Sequence, residues 1–265
     1  MANEYEKEEM LKGGNISDVF RSGNTVRRDL KPDNDKIHML LNHLESKGFG
    51  YSPRFLGVDE KDREILSFIE GEAGNYPLKK YMWSDHVLSE IAKMLRLYHD
   101  AVSDFPLINE WKPMDHTPDN IEVVCHNDFA IYNIIFNQES PVGIIDFDVA
   151  APGPRLWDIA YTLYTCVPLS RLWHNEKGEA IYYNPSEDSV HIKQRIHLFF
   201  ESYGDKEMQQ GFLEMVLLRV EGLCKYMLNK ANEGDVAFQK MIDEGQLDHY
   251  QKEIQFIREY GKEWV

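Results

Sequence analysis

Short apolar runs broken by turn residues fill the first 70 positions, and helical periodicity fills most of the rest. Residues 19–21 and 25–28 flank Gly23-Asn24, a pair suited to a tight turn, so this stretch predicts a β-hairpin. In NDKIHMLLNHLESKG, residues 34–48, Ile37, Leu40, Leu41 and Leu44 recur at helical spacing and Gly48 supplies a stop. RFLGVDEKDREILSFI predicts a second hairpin that turns at residues 60–62. The order strand, strand, helix, strand, strand predicts a small α+β lobe over residues 1–70. EGEAGNYP, residues 70–77, reads as a linker. Beyond it, VLSEIAKMLRLYHDAV puts Leu88, Ile91, Ala92, Leu95 and Tyr98 on one helix face. LWDIAYTLYTCV, GFLEMVLLRVEGLCKYML and the tail from Phe238 are also helical in period, and strands are expected only around residues 123–146. Residues 71–265 therefore predict a mainly helical second lobe.

The strands around residues 123–146 carry the candidate chemistry. VVCHNDFAIYNIIFNQESPVGIIDFD sets His126, Asp128, Asn133, Asp146 and Asp148 at the ends of short apolar runs. If residues 134–136 and 142–145 pair antiparallel around NQESP, Phe136 faces Val142 and Ile134 faces Ile144. Asn133 and Asp146 then meet at the open end of the hairpin, on strands about 4.8 Å apart. An amide oxygen and a carboxylate are hard ligands that suit Mg²⁺ shared with a phosphate. Asp148 would point the same way if the strand continued. Asp128, on the preceding loop, is a carboxylate not needed by the metal. Phosphoryl transfer uses such a group to accept the proton of the attacking hydroxyl.

Composition narrows the function classes. With 265 residues and 43% hydrophobic content, the chain can bury a substantial core. The start, MANEYEKEEM, lacks the pattern of a signal peptide, and no apolar run reaches the 18 residues needed to span a membrane, so no membrane partner is expected. Three well-separated cysteines without a CxxC read as reduced thiols and place the chain in the cytoplasm. The net charge is −16: residues 1–70 carry 11 basic and 14 acidic groups, and residues 71–265 carry 18 and 31. So acidic a surface disfavours nucleic acid. It suits a cationic small molecule, and it equally suits a generic solvated exterior.

His126-Asn127-Asp128-x4-Asn133, followed by Ile145-Asp146-Phe147-Asp148 and by Leu156-Trp157-Asp158, resembles the catalytic and metal loops of the aminoglycoside phosphotransferase and choline kinase family. The match in motif covers roughly residues 120–165. The resemblance implies a bilobal protein-kinase-like fold, ATP and Mg²⁺ as cofactors, and a small-molecule acceptor hydroxyl. It implies Asp128 as the base, Asn133 and Asp146 as metal ligands, His126 packed under the loop, and Asp158 bracing the loop by accepting backbone hydrogen bonds. In LKGGNISDVF, Gly13, Gly14 and Ser17 resemble the loop that covers the phosphates, although a Gly-Gly pair alone also makes an ordinary turn. The third strand of the family carries a phosphate-contacting lysine, and here it reads Thr25-Val26-Arg27-Arg28. Alternation with Val26 inward makes Arg28 the expected contact and Arg27 the alternative. The helical glutamate that would hold this cation is missing from the matching place, where His38 or Glu45 is offered instead. The adenine edge is expected at the backbone of Ser67 and Ile69. Acceptor binding falls to the helices after residue 165, where Glu214, Glu221 and Asp243 are acidic candidates.

Other classes fit less well. IIDFDVA resembles the first motif of haloacid-dehalogenase-type phosphatases, but Ala150 stands where Thr or Val belongs. A protein kinase needs an activation segment, and 11 residues between Asp146 and Asp158 leave no room for one. A non-catalytic nucleotide binder would account for the absent lysine and glutamate, but not for keeping Asp128 beside both metal ligands.

Overall fold

The computed structural model describes residues 8–11, 19–31, 34–107 and 111–265. The expected phosphate-covering residues Gly13, Gly14 and Ser17 lie outside the described residues.

The first lobe is a five-stranded antiparallel sheet with one helix. Its strands are β1 (Glu9–Met10), β2 (Val19–Ser22), β3 (Thr25–Asp29), then, after helix α1 (Asn34–Ser46), β4 (Phe55–Val58) and β5 (Arg63–Ser67). The spatial order is β1-β2-β3-β5-β4, so β3 lies at the centre, with Arg28 directly opposite Glu64 of β5. Both hairpins form where the sequence predicts them. α1 buries Ile37, Leu40, Leu41 and Leu44, the stripe its periodicity predicts, together with His38.

Residues 68–71 lead into β6 (Glu72–Ala73), which joins a second sheet. Helix α2 (Asp85–Ala101) starts at Ser84, whose side chain accepts from the Val87 N–H. Next come β7 (Val123–Cys125), β8 (Ile134–Asn137), β9 (Ser140–Ile144), β10 (Ala151–Gly153) and helix α3 (Arg155–Cys166). β11 (Leu172–His174) and β12 (Ala180–Tyr182) form a surface hairpin that helical periodicity does not reveal. α4 (Pro185–Tyr203), α5 (Phe212–Asn232), α6 (Val236–Asp243) and α7 (Gln246–Tyr260) complete the lobe. α2 packs along α4, and α3 along α5, around a core that includes Leu95, Tyr98, Trp157, Phe199 and Phe212. None of these helices is long and apolar enough to cross a membrane, among the described residues.

Two ladders set the geometry of the motif residues. β7 pairs with β10, and β8 pairs with β6 and β9. The loop that leaves β7 and the loop that leaves β9 are thereby held side by side, linked by the Ile145 N–H donating to the Asn133 carbonyl at 3.0 Å. The β8–β9 register departs from the sequence expectation at one place. Ile134 faces Ile144, but an irregularity after Ile135 puts Phe136 opposite Pro141, not Val142. The shift occurs at the turn end and leaves the end near Asn133 as expected.

Asp158, in the first turn of α3, ties the β7 loop to the helical core. Its side chain is fully buried and accepts from the His126 N–H at 2.7 Å and the Asn127 N–H at 2.8 Å. His99 of α2 lies 3.2 Å from the same carboxylate, and the other His99 nitrogen meets the Tyr203 hydroxyl at 2.8 Å. Burial opposes ionisation of Asp158, yet the His99 and backbone hydrogen bonds hold its carboxyl below the usual aspartate range. Thr162, one turn on, donates to the Phe129 carbonyl at 2.8 Å. Replacing Asp158 with Ala leaves two buried N–H groups without an acceptor. We expect a loss of about 3–5 kcal/mol, read as a fall of roughly 10 °C in Tm by calorimetry at neutral pH. Because the folded carboxyl is depressed, its contribution is complete above the ordinary aspartate value and drains as pH falls through the folded value. The deficit should therefore shrink below about pH 4. A Tm within about 2 °C of the parent would contradict this role.

Candidate active site

The β7 loop takes its shape from Asn127 as much as from Asp158. Asn127 has a left-handed φ of 64° and is almost wholly buried. Its amide nitrogen donates to the Val149 carbonyl at 2.9 Å, its amide oxygen accepts from Trp157 Nε1 at 2.9 Å, and its carbonyl accepts from Arg219 of α5. An asparagine fits here because it tolerates the left-handed region and bonds through both ends of its amide. The Arg219 guanidinium lies 4.3 Å from the centre of the Tyr161 ring, so its flat face is used as well.

His126 sits beneath the loop. Its ring packs 4.4 Å from that of Phe147, and its Nδ1 accepts from the Asp128 N–H at 3.2 Å. Burial pushes its pKa down, which agrees with a neutral ring whose proton is on Nε2.

Asp128 follows at the mouth of the loop, half-buried, with both carboxylate oxygens engaged. The Tyr132 hydroxyl donates to Oδ1 at 2.7 Å, and Asn133 Nδ2 donates to Oδ2 at 2.7 Å and to the Asp128 carbonyl at 3.0 Å. Burial, first, and then Tyr161 and Asp128 push the Tyr132 phenol well above its ordinary range, so it stays a donor. Tyr161 continues the chain at 2.9 Å from Tyr132. The sequence offers no periodic signal for Tyr132; its one clue is its place four residues after Asp128, one turn of a tight loop.

Asn133 ends the tight turn Ile131–Asn133 and starts β8. Since its amide nitrogen is turned to Asp128, its amide oxygen points away from that carboxylate. Asp146, just past β9, has a left-handed φ of 67°. Its side chain is 48% exposed, and its nearest partner is Arg28 at 3.7 Å. The atoms packed around it and the charge of Asp148 push its carboxyl upward, against the pull of Arg28. Asp148 does not continue a strand as the sequence suggests. The chain turns after Ile144, and Asp148 is held between two cations: Arg28 donates to it at 3.0 and 2.5 Å, and Lys31 lies at 2.5 Å. These two cations keep Asp148 below the usual range in spite of its burial.

Arg28 therefore faces the cleft, as alternation predicts, whereas Arg27 turns toward Asp59 at 3.9 Å. Its Nε donates to Glu64 on β5, and His38 of α1 lies 2.8 Å from the other Glu64 oxygen. The acidic partner of the cation thus comes from the neighbouring strand. Of the two α1 candidates, His38 joins it and Glu45 does not: Glu45 lies near Arg54, at 3.7 Å.

At residues 67–69 the structure separates the two expected adenine contacts. The Ser67 N–H donates to the Arg54 carbonyl at 2.9 Å, so this donor is spent inside the sheet. The Phe68 N–H likewise meets the Asn24 carbonyl at 2.8 Å, while the Ile69 N–H and C=O make no backbone hydrogen bond among the described residues. Of the expected acceptor-side acids, Glu221 is paired with Arg258, and Asp243 accepts from Gln239.

Asp128, Asn133, Asp146 and Arg28 are joined by direct contacts or a short chain of them, and Glu64 extends the set. Among the described residues no three His, Cys, Asp or Glu side chains form a metal cage. The open donors are one amide oxygen and one carboxylate, a set that fits a Mg²⁺ completing its shell with phosphate oxygens and water.

The chain is similar to known proteins in sequence and in fold. The model of the phosphotransferase enzyme family matches residues 98–187, which span the β7 loop, the β9 loop and α3. A choline kinase from Cryptosporidium parvum shares the fold at a TM-score of 0.63, with 13% identity over 98% of this chain and 92% of that one. An ethanolamine kinase from Plasmodium vivax gives 0.61, with 13% identity over 99% and 86%. An aminoglycoside phosphotransferase from Streptomyces rimosus, solved with ADP and streptomycin, gives 0.53, with 16% identity over 82% and 92%. In sequence, the trifolitoxin immunity protein of Rhizobium leguminosarum bv. trifolii is 30% identical over 207 residues, 76% of each chain. With that kinship along most of both chains, and with the family's model falling on the loops that carry the clustered side chains, this chain belongs to the phosphotransferase enzyme family.

Proposed function

We propose that the protein transfers the γ-phosphate of ATP to a hydroxyl of a small molecule. The observation that carries this reading is the division of labour within one contact group. Asn133 gives its amide nitrogen to Asp128, which leaves its amide oxygen for a cation, and Asp146 stands beside it with its carboxylate half open. Among the described residues Asp128 has no cation partner of its own. A site that only bound nucleotide would have no use for it.

In this mechanism the adenine lies against the backbone of Ile69, and Arg28 binds the phosphates in place of Asp148. Lys31 adds a second positive charge nearby. Asn133 and Asp146 would hold Mg²⁺, and that ion would supply charge neutralisation to the phosphates. Asp128 orients the acceptor hydroxyl and takes its proton as the new O–P bond forms and the γ-phosphorus breaks from the β-phosphate oxygen, with ADP leaving. Tyr132 and Asn133 aim the carboxylate, and Asp158, with His126, fixes the loop beneath it. The acceptor enters on the side of Asp128 where Tyr132 and Tyr161 lie, beside Arg219 of α5. The acidic exterior favours a cationic acceptor.

Two experiments test this. ADP release in the presence of Mg²⁺, ATP and a panel of aminoglycosides, amino alcohols and other hydroxylated amines should identify an acceptor. Asp128→Asn should then bind Mg-ADP with unchanged affinity and lose transfer by ~10²–10⁴-fold. Equal turnover in both forms removes Asp128 from the chemistry. For the metal, Asp146→Asn should abolish the difference in affinity between ADP with Mg²⁺ and ADP with EDTA, as measured by calorimetry. A difference that persists at the parental size shows that other residues hold the ion.

A further inference from the structure

We infer that Glu64, one strand away from Arg28, is the positioning residue that aims the Arg28 guanidinium at the nucleotide's phosphates, in the role the family gives to a helical glutamate. The inference rests on the nucleotide-binding reading above and adds to it a residue that sequence spacing does not reveal.

Three observations carry it. First, Glu64 stands directly opposite Arg28 in the β3–β5 ladder, and its side chain is fully buried. A carboxylate removed from water is costly unless it is paired, and both of its oxygens are in use. One accepts from Arg28 Nε, and the other meets His38 Nε2 at 2.8 Å. Second, the carboxylate has little freedom to turn. His38 is itself fixed, with its ring stacked on Phe55 at 3.7 Å between centres and 12° between planes. Third, the contact uses only the Nε edge of the guanidinium. Nη1 and Nη2 project into the cleft, where they grip Asp148 as a bidentate pair. A phosphate presents the same oxygens to the same fork.

This geometry also explains why the cation is an arginine. A glutamate on the adjacent strand approaches from the side. A guanidinium accepts that lateral contact at Nε and keeps two donors facing forward, whereas a lysine has one nitrogen for both tasks. The holder belongs to the sheet, so a displacement of α1 removes only the His38 contact and leaves the Arg28–Glu64 pair standing.

The test is a double-mutant cycle on Mg-ADP affinity, measured by calorimetry on Arg28→Gln, Glu64→Gln and the double variant, with His38→Ala alongside. If Glu64 acts through Arg28, Glu64→Gln weakens binding by about tenfold, the loss of one oriented charge-assisted contact. The same change in the Arg28→Gln background then adds less than about twofold. His38→Ala costs less than Glu64→Gln. Thermal melts check each fold; should Glu64→Gln fail to fold, Glu64→Asp, charged but one methylene short, is expected to weaken binding in its place. Parental affinity in Glu64→Gln, or an equal loss with and without Arg28, overturns the inference, as does a His38→Ala loss as large as that of Glu64→Gln. If the parent protein itself binds no Mg-ADP, the nucleotide-binding reading fails first, and the two failures are thereby told apart.

Discussion

One buried carboxylate sets the frame on which the site is built. Asp158 accepts two consecutive backbone N–H groups from the β7 loop while it also meets His99. Fixing His126 and Asn127 in this way fixes where Asp128 leaves the loop. The left-handed turn at Asn127 and the bond from Asn133 to the Asp128 carboxylate then leave that side chain little choice of direction. The cost of burying the Asp158 carboxylate is offset by three partners, the His126 and Asn127 N–H groups and His99.

Electrostatics organise the other half of the cleft. Arg28, Lys31, Glu64, Asp146 and Asp148 form an alternating set in which each buried charge has an opposite neighbour, except for the open side of Asp146. Without nucleotide, Asp148 satisfies the two cations. Under the proposed function, a triphosphate would bring its own oxygens to the same donors and leave no cation stranded.

Much of this was legible in the sequence. Periodicity located α1, α2, α3, α5 and both hairpins of the first lobe, and the spacing of Asp128, Asn133 and Asp146 brought the motif residues to one place. What escaped it depends on tertiary pairing. Glu64 looks like an ordinary strand residue until β3 and β5 are known to be neighbours, because cross-strand partners carry no fixed sequence separation. The expectation of a helical partner for Arg28 was half met by His38, which lies on the buried stripe of α1. The adenine edge is expected at the backbone of Ser67 and Ile69, and the bond from the Ser67 N–H to the Arg54 carbonyl, which spends that donor, has no signal in the sequence. The β11–β12 hairpin was missed because its strands are three residues long and bury little apolar surface.

The most direct measurement of the central claim is a crystal structure with Mg²⁺ and a non-hydrolysable ATP analogue. The account predicts a metal about 2.0–2.1 Å from the Asn133 amide oxygen and an Asp146 carboxylate oxygen, with the γ-phosphate between that metal and Asp128. A nucleotide seated elsewhere, or a metal reached by neither side chain, would contradict it.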